Sequence, residues 1–188
     1  KDHCYYGMFQ GCVNIRHVPD FPTVELASNC YESMFFRSGL VDAPQLPSTK
    51  LAPYCYLGMF QSCEGLTIAP ELPATTLADG CYGSMFSGCI NLTTAPEFVA
   101  ESFANECYAN MFDFCISLNY IKVRVMTLDN DVEATRDWVD GVTSPGKFIF
   151  PCGSRYDKHG KSEVPDNFTI VNSPIVIFQN PDGTVLWK

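Results

Sequence analysis

Along most of the chain the apolar side chains come in adjacent pairs, separated by pairs of small or polar residues. From Leu77 onward the apolar positions are Leu77, Ala78, Cys81, Tyr82, Met85, Phe86 and Cys89, with Asp79, Gly80, Gly83, Ser84, Ser87 and Gly88 between them. Steps of i, i+1, i+4, i+5, i+8 and i+9 put the apolar set on one face of a helix. The pattern therefore predicts a short helix, partly 3₁₀ because its glycines weaken helix propensity. Pro73 with Thr75 or Thr76 supplies a start signal and Gly88 a stop. After Cys89 the pattern changes. Asn91-Leu92-Thr93-Thr94-Ala95-Pro96 is too short for a helix and carries β-branched residues, which predicts a short strand closed by its proline. A loop such as Pro70 to Leu77 then returns the chain, with Leu72 plugging its inner side.

This unit recurs. Its Cys-Tyr-x-x-Met-Phe core begins at Cys4, Cys30, Cys55, Cys81 and Cys107, and its strand segments fall at 14–19, 39–44, 65–70, 91–96 and 117–122. A period of 25 or 26 residues marks a stacked repeat protein in which no unit buries its apolar side alone. Repeat two is one residue short between Cys30 and Pro44 and carries Phe36-Arg37-Ser38 where others have a polar residue, a small residue and Cys, so a local irregularity is expected there.

The spaced motif x-x-Met-Phe-x-x-Cys-x-x-Leu, followed by Pro-x-Leu-Pro-x-x-x-Leu, resembles the BspA-type leucine-rich repeats of Bacteroides-like surface proteins. The resemblance covers residues 1 to about 125. It implies an α/β leucine-rich-repeat solenoid, with a parallel sheet and short helices on the opposite flank. It also implies that Cys12, Cys63, Cys89 and Cys115, with Ser38 in the gap, satisfy main-chain groups in the turn before the strand. Residues 1–126 are then five repeats, 127–172 a small α+β capping segment and 173–188 a terminal β-hairpin. Within the cap, Tyr120–Met126, Gly146–Phe150 and Pro165–Val171 read as strands and Val132–Val142 as a helix. In the tail, Asn180-Pro181-Asp182-Gly183 is a turn signal between two apolar strands.

Charge narrows the partners. A formal net charge of −9 and a pI near 4.6 argue against nucleic acid and against an anionic membrane surface. No apolar run is long enough to span a bilayer, and the chain starts inside a repeat without a polar cap. It therefore reads as a piece of a longer array whose export signal and membrane anchor lie upstream. The resemblance places such a protein outside the cell, on a bacterial surface and anchored in the outer membrane. Nine of the ten cysteines are repeat-phased. Side chains in such columns run parallel, poor geometry for a disulfide, and on one helix residues i and i+8 would stand about 12 Å apart. Buried free thiols are the expectation. The spacing forms no CxxC knuckle, so no zinc is expected.

Candidate chemistry is sparse. His159 shares a polar loop with Cys152, so a thiol nucleophile pair can be written there, but a solvated loop is the plainer reading. The phased tyrosines sit beside Met and Phe, which makes them core and not a sugar-stacking surface. Asp20, Gln45, Glu71 and Glu97 form a polar row after the strands, read as turn polarity and not a calcium site. What remains is the strand face: Arg16, His17, Asp42, Thr67, Thr93, Asn119 and Tyr120 fall between inward-facing positions and vary while the core does not. The expectation is a non-catalytic recognition or adhesion module without metal or cofactor. It would bind a host or bacterial surface protein, or a glycan, through those residues. A structural spacer or cap within a larger surface protein is the alternative.

Overall fold

The computed structural model describes residues 2–22, 25–128 and 133–173, together with two tail strands at 177–179 and 185–187. The chain winds into successive coils of the length the repeat predicts, each stacked on the one before. The sheet flank contains β1 (Thr94–Phe98), β2 (Tyr120–Val123), β3 (Gly146–Phe150) and β4 (Phe168–Asn172), parallel and in sequential order. Thr94 pairs with Tyr120, Tyr120 with Lys147 and Lys147 with Thr169. Earlier coils contribute extended segments joined by isolated bridges, Lys50 with Thr76 and Ile68 with Thr94. Regular strands are thus absent from the described parts of 14–19, 39–44 and 65–70. The fourth segment is shifted, and Pro96 lies inside β1 instead of closing it. The ladder tolerates this proline because its register slips between Thr94 and Glu97, where an N–H would otherwise be required.

The opposite flank corrects the expected architecture. No helix occurs among the described residues, so this is not a solenoid with short helices facing a sheet. Where helices were expected the chain makes consecutive tight turns. In the second coil the N–H groups of Cys30, Glu32, Met34, Phe36 and Ser38 donate to carbonyls three residues back. Those of Asn29, Tyr31, Ser33, Phe35 and Arg37 leave the coil and donate to Pro53, Cys55, Leu57, Met59 and Gln61 in the next. A helix keeps its N–H groups for its own carbonyls. This flank spends every second one on its neighbour, so adjacent coils are bound along both faces.

Every fourth residue here has a left-handed backbone. Gly7 and Gly11, Asn29, Ser33 and Arg37, Tyr54, Gly58 and Ser62, and Gly80, Ser84 and Gly88 all have φ between +51° and +73°. Glycine meets that demand without steric cost and asparagine at little. Gly80 and Gly88, which looked like a helix weakener and a helix stop, are placed by the turns, whereas Gly83 is not at a left-handed position.

The Val132–Val142 helix is absent for the same reason. Val132 lies outside the described residues, and from Glu133 the chain makes another round of turns. Tyr108, Asn110, Phe112 and Phe114 donate to Ala134, Arg136, Trp138 and Asp140, so the ladder runs on past residue 126. In the tail, β5 (Ile177–Gln179) and β6 (Val185–Trp187) pair antiparallel. The predicted turn at 180–183 lies outside the described residues.

Between the flanks run two ring stacks. Tyr5, Tyr31, Tyr56, Tyr82 and Tyr108 lie 5.3–6.0 Å apart and nearly coplanar. Phe9, Phe35, Phe60, Phe86 and Phe112 lie 5.5–5.8 Å apart. Trp138 ends both, its ring centre 6.4 Å from Tyr108 and 6.3 Å from Phe112. Its indole N–H donates to the Glu163 carbonyl at 2.7 Å.

All ten cysteines are free; seven are buried, while Cys4, Cys12 and Cys152 are exposed. Among the described residues no helix separates the phased cysteines by the expected spacing of about 12 Å; three of the buried thiols bond between coils, while Cys12 of the same column is exposed. Cys63, Cys89 and Cys115 donate from Sγ to the carbonyls of Phe35, Phe60 and Phe86 at 3.0–3.1 Å. Ser38 is buried in the same column with its Oγ 3.5 Å from Cys63 Sγ. Burial pushes the Cys55 and Cys81 thiols up to about 12.

Candidate functional site

The buried leucines Leu40, Leu66, Leu92 and Leu118 fix the start of each outer-face segment. The next two residues turn outward before the chain re-enters the core at Ala95 or Ile121. Parallel pairing sets equivalent side chains about 4.8 Å apart up the stack. The structure sorts the predicted residues into two neighbouring columns.

One column contains His17, Asp42 and Tyr120. The register adds Ile68, Thr94, Lys147 and Thr169 to it. His17 Nδ1 and Asp42 Oδ2 stand 2.7 Å apart across two coils, with side chains 69% and 73% exposed. Such exposure limits the pair to a small stabilising contribution. Ile68 is 73% exposed, an uncovered branched side chain between polar neighbours. Tyr120 is half-buried on β2, and Lys147 is exposed on β3.

The second column contains Arg16, Thr67, Thr93 and Asn119, all exposed. Their main chains form part of the ladder: Val41 N–H donates to Arg16, Thr93 to Thr67, Asn119 to Thr93 and Lys147 to Asn119. Arg16 is not wholly free for a ligand. Its Nη1 donates to the Val13 and Gly39 carbonyls at 3.1 and 2.7 Å, holding the turn between the first two coils.

Two open depressions flank the columns. One, of about 490 Å³, is lined by Val13, Arg16, Arg37, Ser38, Glu64 and Gly65, among others. The other, of about 420 Å³, lies beyond the strand ends between Glu71, Thr75, Glu97 and Arg124. Glu97 there accepts from Lys122 at 3.1 Å and Arg124 at 3.3 Å. Burial works against its charged form, but these two cations outweigh it and hold the Glu97 carboxyl below its usual range. Asp20, earlier in the polar row, accepts from the Gln45 N–H at 2.9 Å, a turn bond.

The remaining candidates do not converge. His159 Nδ1 is bonded to the Pro165 carbonyl at 3.0 Å, and no hydrogen bond joins it to Cys152. The tyrosines from Tyr31 to Tyr108 are buried in their stack. No cluster of three or more metal-ligating side chains occurs among the described residues.

Lys147 and Thr169 were not expected on this face from the sequence. The signal was present, since each falls one further coil along the Asp42–Ile68–Thr94–Tyr120 series, but the change of motif after residue 126 concealed it. No protein family, curated protein or solved structure matches the chain.

Proposed function

We propose that this chain is a non-catalytic recognition module of adhesion type, displayed outside the cell on a bacterial surface. It binds a protein or glycan across the strand face. The observation that carries this reading is the pair of exposed columns, regular in position and varied in chemistry, set on a core that barely varies. Cation, carboxylate, hydroxyl, amide, phenol and an uncovered isoleucine stand at fixed spacing on a surface already ordered before any ligand arrives. Such pre-ordering lowers the entropic cost of binding an extended partner. The motif's likeness to BspA-type surface repeats supports the location and the class of partner.

The test is a glycan and host-protein array probed with the native chain and with a variant carrying Asp42→Ala, Thr67→Ala, Thr93→Ala and Tyr120→Ala. The reading expects a hit for the native chain, weakened at least tenfold in the variant while its thermal unfolding is retained. No native hit, or hits of equal strength for both, would contradict it.

A second reading, a spacer that holds other domains apart, is favoured by the two ring stacks and two main-chain ladders running along the same axis. It expects no partner of micromolar affinity for this segment, and one found on the strand face would eliminate it.

A further inference from the structure

The second coil is shorter than its neighbours, and the shortening leaves a notch in the stack. The first coil has Val13-Asn14 between Cys12 and Ile15, the third Glu64-Gly65 between Cys63 and Leu66, and the fourth Ile90-Asn91 between Cys89 and Leu92. The second has Gly39 alone between Ser38 and Leu40. The N–H groups of Val13, Ile90 and Ile116 close onto carbonyls two residues back, whereas the Gly39 N–H donates to Cys12 in the coil before. The position that the second coil lacks is therefore that of Val13 and Glu64, and both of these line the depression of about 490 Å³. In other coils the carbonyl at this position is covered by a side chain from the next coil. Asn91 Nδ2 donates to the Glu64 carbonyl and Ser144 Oγ to that of Ile116, each at 2.8 Å. Gly39 has no side chain to offer, and a Cβ there would overlap the Val13 carbonyl. Arg16 takes over that task through Nη1, which pins its guanidinium at the notch. Its Nε and Nη2 donate to no described group.

We propose that this notch binds an acidic sugar residue, with its carboxylate on Arg16 and Arg37 and its hydroxyls on Ser62 and Glu64. This rests on the recognition reading in its glycan form, names the class of sugar, and puts it at the edge of the strand face beside Arg16. The chain carries a net charge of −9, yet two guanidiniums and a single carboxylate line the notch. Arg124 and Arg136 are ion-paired with glutamates, whereas Arg16 and Arg37 have no carboxylate partner among the described residues. The Arg37 guanidinium lies over the Phe36 ring, 4.9 Å from its centre. The planar fork of a guanidinium matches a carboxylate with paired bonds. The Ser62 hydroxyl and the Glu64 carboxylate have no hydrogen-bond partner among the described residues, and both accept from hydroxyl groups. Glu64 also repels a phosphate dianion, and it would face like charge from an acidic peptide, so a singly charged ring rich in hydroxyls fits best. The volume lies within the roughly 300–1,000 Å³ of small-ligand sites.

The experiment titrates the isotope-labelled full chain with digalacturonic acid and follows the Nε–H signals of Arg16 and Arg37 and the amides of Gly39 and Gly65. The expected result is a saturable shift confined to this group. The neutral dimethyl ester of the same sugar should bind roughly tenfold more weakly or worse, and so should digalacturonic acid with Arg37→Gln. Arg37 is exposed and its main-chain bond to Gln61 does not involve the side chain, so that variant keeps the fold. A valine inserted between Ser38 and Gly39 restores the repeat length and should abolish the shifts. No saturable shift, or equal binding of acid and ester, would overturn the proposal. Equal shifts with acetate or sulfate would overturn the sugar assignment, and tighter binding of a triglutamate peptide would give the notch to a protein partner instead. The strand-face variant with Asp42, Thr67, Thr93 and Tyr120 replaced leaves the notch lining intact. Undiminished binding of digalacturonic acid by that variant supports the notch even if the strand face itself fails. Loss of binding in that variant but not in Arg37→Gln would overturn the notch and leave the strand-face reading standing.

Discussion

Gly58→Ala separates a turn flank from a helix by the sign of its effect. Gly58 has φ of +59°, and a Cβ there would meet nothing nearer than Gln61 Oε1 and Ser33 Oγ, both at 3.4 Å, which is ordinary contact. Space is therefore no obstacle, and the backbone conformation decides the outcome. Holding an alanine in the left-handed region costs about 1–2 kcal/mol. In a helix the same substitution would stabilise by about 1 kcal/mol. For a chain of this size each kcal/mol moves the unfolding temperature by about 2–4 °C. The turn flank thus predicts a fall of about 2–8 °C, and a helix a rise of about 2–4 °C. Ser84 occupies the equivalent position one coil later with φ of +51°. Ser84→Gly should therefore raise the midpoint or leave it unchanged. Both are read by circular dichroism melts of the full chain. A higher midpoint for Gly58→Ala together with a lower one for Ser84→Gly would refute the reasoning.

Three further outcomes follow from the packing. Only Cys4, Cys12 and Cys152 are exposed, so a disulfide exchange reagent at pH 8 should titrate three thiols in the native chain and ten after denaturation. Phe60→Leu preserves most of the buried volume but removes ring contacts with Phe35 and Phe86, each at 5.7 Å. At about 0.5–1.5 kcal/mol per ring pair the variant should lose about 1–3 kcal/mol, read from its urea midpoint. Glu97 has a folded-state carboxyl held below its unfolded value of 4.5, so its contribution is present above that pH and is lost as pH falls through the lower folded value. Glu97→Gln should therefore flatten the acid limb of melting temperature against pH. The effect is small because the group is partly exposed, and salt should reduce it.

The repeat, the inward Cys, Tyr, Met, Phe and Leu columns and the outward pairs were legible because stacking requires like residues at like positions. The turn flank was misread. Apolar pairs four residues apart imitate a helix over two turns, but a helix drifts by about 40° for every four residues. The pattern from Leu77 to Cys89 never inserts the step of three that would correct that drift. Gly7 and Gly11, or Gly80 and Gly88, recur at the same phase as Asn29 and Asn110, residue types suited to a left-handed backbone. That coincidence was the available signal. What sequence alone could not reveal is where alternate N–H groups go, since that depends on a neighbouring coil. The same gap hid Trp138, which sits where the next phenylalanine of the stack would fall and yet read as part of a cap helix. Of the candidate site, the positions were legible because they alternate with buried leucines. The bond between His17 and Asp42 and the anchoring of Arg16 were not, because each joins coils more than twenty residues apart in the chain.

The most direct measurement is of couplings transmitted through hydrogen bonds between amide nitrogen and carbonyl carbon in the isotope-labelled chain. The account predicts cross-peaks linking Phe35 N to Met59 C′, Phe60 N to Met85 C′ and Phe86 N to Met111 C′, each spanning two coils. Cross-peaks from those same nitrogens to carbonyls four residues back in their own segment would contradict it.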